Sequence, residues 1–154
     1  MAPSSIVFNS SDWNSKSIVD SFKNTGFLLV VNPFIDMKGS LEQLREKLKA
    51  ADLKTLPMYE EGRSSSKRFP GEANERVVLK NMSDDWECVN TIRSQYIKVG
   101  CDILYAIEEY MKLPPNSITL KHEKSSNDLI FVKYYKDQIG NNRLGSHCDF
   151  GTLT

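Results

Sequence analysis

The chain has two histidines, His122 and His147, so the positions where an imidazole can act as a base or a metal ligand are quickly surveyed. His122 lies between Lys121 and Glu123, and such a charged neighbourhood reads as solvated surface. His147 lies in the run Gly145-Ser146-His147-Cys148-Asp149-Phe150-Gly151-Thr152-Leu153-Thr154. In an extended segment, residues i and i+2 project to the same side. An imidazole nitrogen of His147 and a carboxylate oxygen of Asp149 can then aim at one point. That pair makes up two members of the two-histidine, one-carboxylate set that holds non-haem Fe(II) and leaves positions open. The spacing by itself is not specific, because a chain of this composition contains a chance His-x-Asp in about one case in eight. The bland alternative is a turn histidine with an incidental acidic neighbour.

Other chemistries find no support. The cysteines, Cys88, Cys101 and Cys148, are few, odd in number and widely spaced. That pattern argues against a disulfide framework and suits a reducing compartment. Without a Cys-x-x-Cys pair there is no zinc ribbon, thioredoxin-like motif or c-type haem attachment. Cys88 and Cys101 read as small apolar packing groups, and Cys148 as a modest oxidation liability beside a metal. Neither a phosphate-cradling glycine loop nor a Gly-x-Ser-x-Gly elbow occurs.

Composition narrows the class further. The 154 residues suffice for one compact domain. Lys and Arg number 20, as do Asp and Glu, so no net field draws the chain to nucleic acid or an anionic membrane. Ser64-Ser65-Ser66-Lys67-Arg68 accordingly reads as a solvated loop. The longest apolar run, Phe27 to Val31, falls far short of the roughly 20 residues needed to span a bilayer. The first residues have neither a basic nor an apolar leader region, and a cytoplasmic location is the expectation.

The elements that must position these residues are mostly helical. Ser5 to Phe8 suits a short strand. Ser10, Ser11 and Asp12 offer N-caps for a helix that Gly26 ends. Phe27 to Val31 suits a strand covered on both faces. Ser40 and Gln43 form a capping box ahead of Leu41, Leu44, Leu48 and Ala51. The stretch from Tyr59 to Asn81 reads as a long loop, with Arg76 to Leu79 as a short strand within it. A helix over 84–111, opened by Ser83 and stopped ahead of Pro114-Pro115, spans roughly 40 Å. Its stripe includes Trp86, Tyr96, Ile103 and Ile107 and reads as core rather than as a cofactor box. A short helix is expected over 118–124. Leu129 to Tyr135 is a strand by its β-branched and aromatic content. Leu144 to Thr154 reads as extended, with a break at Gly151. β-structure thus gathers at the C-terminal end, where a few strands leave edges unpaired.

Three blocks, in order, resemble the isopenicillin N synthase-like branch of the Fe(II)/2-oxoglutarate-dependent dioxygenases. His147-Cys148-Asp149-Phe150-Gly151-Thr152-Leu153-Thr154 is similar to the first metal motif of that branch, His-Thr-Asp-Phe-Gly-x-Leu-Thr, with Cys148 as the one departure. Gly26-Phe27-Leu28-Leu29-Val30-Val31-Asn32 is similar to its N-terminal Gly-Phe-Phe-x-Val-x-Asn-His block, with Pro33 in place of the His. Val132-Lys133-Tyr134-Tyr135 is similar to its Asn-Tyr-Tyr-Pro strand, with Lys133 and Lys136 in place of Asn and Pro.

The resemblance implies an α+β fold. Residues 1–127 would form the helical N-terminal region of a non-haem dioxygenase, and 128–154 the first strands of an incomplete double-stranded β-helix, or jelly roll. It implies His147 and Asp149 as iron ligands and Tyr135 as a contact to the 2-oxoglutarate cosubstrate. With O2, such a centre hydroxylates or desaturates a small-molecule substrate while 2-oxoglutarate becomes succinate and CO2. The second His and the Arg-x-Ser carboxylate clamp of the family would follow Thr154. The 154-residue stretch alone is then expected to be inactive, with no complete catalytic residue set. An enzyme of this branch that dispenses with 2-oxoglutarate, as isopenicillin N synthase does, is compatible with the same residues. The alternative from another class is a truncated, non-catalytic binding or assembly module that associates through its exposed strand edge.

Overall fold

The computed structural model describes residues 5–7, 13–31, 37–52, 55–56, 59–60, 74–79, 86–123, 129–134, 149 and 151–153. Their order is β1 (Ser5–Val7), α1 (Ser15–Thr25), β2 (Leu29–Val31), α2 (Met37–Ala50), β3 (Tyr59–Glu60), β4 (Asn74–Leu79), α3 (Glu87–Tyr110), α4 (Thr119–Glu123) and β5 (Leu129–Tyr134). The class is α+β. The chain divides into two compact units, Met1–Gly39 with Thr91–Asn127, and Ser40–Asn90 with Asp128–Thr154.

In the first unit, α1 begins where Asn14 accepts the Ser17 amide hydrogen on its side-chain oxygen at 2.9 Å, with Asn14 itself in extended backbone. The cap is therefore Asn14 rather than Ser10, Ser11 or Asp12, which lie outside the described residues. A turn-forming amide nearer the apolar face starts the helix later than the earlier polar cluster suggested. Asn14→Ala is expected to cost about 1 kcal/mol, read as a lowered urea midpoint with unchanged slope. At the other end, Gly26 takes φ +80° and donates its N–H to the Phe22 carbonyl. That is the left-handed stop the sequence signalled. Ile18 and Val19 are buried on the inner face, and Ser21 donates its hydroxyl to the Phe27 carbonyl at 2.9 Å.

The chain then enters β2, which pairs in parallel with β1, Ile6 opposite Val30. The apolar run is not covered on both faces as expected: Phe27 is 50% and Leu29 49% exposed. With one neighbouring strand among the described residues, this ribbon has too little sheet to enclose both faces.

The long helix α3 forms as its periodicity predicts, about 36 Å from end to end. Val89, Ile92 and Ile103 are buried, but Tyr96 is half exposed and is not core. Leu104, Ala106 and Glu108 are buried instead, so the inner face of the last turns is rotated from the apolar stripe. Tyr tolerates this placement because its hydroxyl is better left wet.

The C-terminus of α3 closes in a Schellman motif, Leu113 N–H to the Glu108 carbonyl at 3.0 Å and Lys112 N–H to the Glu109 carbonyl at 3.1 Å. The left-handed position falls on Lys112, φ +54°, where helices usually place glycine. Lys112→Gly removes that strain and is expected to stabilise by about 1 kcal/mol, seen as a raised denaturant midpoint.

Helix α2, which belongs to the second unit from Ser40 onward, starts at Met37, so Ser40 lies inside the helix and does not act as the cap of a Ser-x-x-Gln box. The helix takes up an extra turn before the box, and Leu44 and Leu48 still form its buried stripe. Lys47 extends its ammonium over the Trp86 ring, 5.6 Å from the centroid.

The sheet of this unit has the order β3-β4-β5, all antiparallel. Part of the expected long loop is therefore sheet. β4 is longer than foreseen and forms the central strand, so β-structure does not wait for the C-terminal end. The physical reason is pairing: Val77 lies opposite Phe131 and Leu79 opposite Leu129, which joins apolar side chains far apart in sequence. Val77, Val78 and Leu79 are all buried, so β4 is covered on both faces. Among the described residues no helix is long and apolar enough to cross a membrane.

Candidate functional site

The three residues singled out for iron and cosubstrate follow β5 in the chain. Tyr135 and His147 lie outside the described residues, as do Cys148 and the Ser64–Arg68 loop. Asp149 is described and solvent-exposed. It is not in a strand, and neither are Gly151, Thr152 and Leu153. The strand-like reading of 144–154 is not met at these described positions, while the break at Gly151 is. Gly151, the break that the sequence predicts, has a φ of +140°, where a side chain is strained. The same-side argument for residues two apart assumes a strand, and Asp149 is not in one. Among the described residues no group of three or more His, Cys, Asp and Glu side chains could hold a metal ion.

β5 is an edge strand of its sheet among the described residues. Its register on β4 is unbroken from Leu129 opposite Leu79 to Tyr134 opposite Asn74. Phe131 and Val132 are half-buried, whereas Ile130 is 39% and Tyr134 41% exposed. One face of the strand is thus anchored by the Val77 and Leu79 side of β4, and the other is partly open. His122, read as a solvated side chain, is half-buried in α4. Cys88 is buried and Cys101 half-buried, in keeping with apolar packing.

Among the described residues, a buried carboxyl with a shifted pKa is one that sequence patterning did not single out. Glu108 is 2% exposed near the C-terminus of α3. Its Oε2 accepts the Asn116 N–H at 2.9 Å, and its Oε1 accepts those of Ile118 and Thr119 at 2.7 Å each. Burial raises the pKa of this carboxyl, but the N–H donors of Thr119, Ile118 and Asn116 outweigh it and hold the value below the ordinary 4.5. The carboxylate thereby caps the first turn of α4 from a different helix, satisfying amides that would otherwise be orphaned. Asn116 adopts φ +65°, and its Oδ1 accepts the Tyr105 hydroxyl at 2.7 Å, which fixes the same turn.

A displaced carboxyl pKa often marks catalysis. Here the direction favours the permanently ionised form, and backbone donors occupy both oxygens, so the role is structural. The signal was present in the sequence: Glu108 and Glu109 end α3 without a basic residue in the last turn, against the helix dipole.

Next to this clamp the first unit has an open hollow of about 770 Å³, lined in part by Trp13, Asn14, Asp102, Tyr105, Lys112 and Leu113. Lys98 on its wall is paired with Asp102 at 3.0 Å. No family model, curated protein or solved structure matches the chain.

Proposed function

We propose that this chain carries part of an Fe(II)/2-oxoglutarate-dependent oxygenase of the isopenicillin N synthase-like kind, acting on a small molecule by hydroxylation or desaturation. The observation that supports the reading is the run from His147 to Thr154, in which a His-x-Asp pair is followed by Phe-Gly-x-Leu-Thr. In this reading β5 is an early strand of a jelly roll. Ferrous iron chelated by 2-oxoglutarate supplies, with O2, the oxidising chemistry. The chain's own part is to present an imidazole nitrogen from His147 and a carboxylate oxygen from Asp149, and to place Tyr135 against the cosubstrate. The donor types suit ferrous iron. The His-x-Asp run supplies two protein donors rather than three, so the affinity of this chain alone is expected to be weak.

The test is anaerobic ferrous titration of the chain with and without 2-oxoglutarate. The reading predicts that 2-oxoglutarate tightens iron retention, because a chelate fills positions the protein leaves open. Equal or absent retention under both conditions contradicts it. A second reading, a non-catalytic binding or assembly module, is favoured by the exposed Ile130 and Tyr134 of β5. It predicts no iron retention, and elution with another chain in gel filtration.

A further inference from the structure

We draw no further inference here: the strongest candidate, the open hollow of the first unit between the start of α1 and the last turns of α3, carries nothing because Lys98 and Asp102 on its wall pair with each other and no second observation points to a ligand.

Discussion

Glu108→Ala is expected to lower the thermal midpoint by roughly 10 °C, the largest stability loss from any single polar side chain described above. The substitution removes an acceptor from the N–H groups of Asn116, Ile118 and Thr119 at once. It also leaves Thr119, which is fully buried, with an amide that water does not readily reach. Glu108→Gln keeps the shape but offers one carbonyl oxygen for donors that two carboxylate oxygens now share, so an intermediate loss is expected.

The pH dependence has a definite sign. Because the folded carboxyl pKa lies below 4.5, the unfolded chain binds this proton more tightly than the folded one. The stabilisation is complete above the ordinary glutamate pKa and is lost as pH falls through the folded value. Thermal midpoints of the Glu108→Gln protein should therefore fall less steeply below about pH 4.5 than those of the unaltered chain. Parallel acid limbs in the two proteins would show that the carboxylate is not held by those amides.

The second large effect concerns the metal. His147→Ala and Asp149→Ala are each expected to weaken ferrous binding at least tenfold, a bound taken from the roughly 10–100-fold that lost supporting groups alone cost at metal sites. His122→Ala serves as the control. That imidazole lies in α4, apart in sequence from the His-x-Asp run, and its removal should leave the affinity unchanged. If all histidine variants lost affinity alike, binding would be adventitious surface chelation.

Much of the helical framework was legible because local rules decide it. Gly26 stops α1 and Pro114-Pro115 follows α3 as punctuation alone requires. The misreadings arise where distant partners decide. β4 belongs to a stretch rich in Gly, Ser and Arg with little pattern of its own, and it becomes the central strand because β5 pairs along its whole length. The buried face of α3 departs from its apolar stripe at Glu108, whose carboxylate accepts amides of the 116–119 turn that follows the helix. Ser40 looked like a cap because its spacing to Gln43 is right, yet the helix had already begun at Met37. For the candidate site, residue types and order support a proposal of iron binding. The break at Gly151 was legible as well, as its φ of +140° shows, whereas the absence of a strand at Asp149 was not.

The most direct measurement is the ferrous dissociation constant of the unaltered protein, of its His147→Ala and Asp149→Ala forms, and of the His122→Ala control, taken anaerobically in one buffer. A single site weakened by either change in the His-x-Asp run, and indifferent to the control, is the predicted result. Constants that stay the same in all four proteins would mean that this imidazole and this carboxylate do not share an ion, and the oxygenase reading would fall with them.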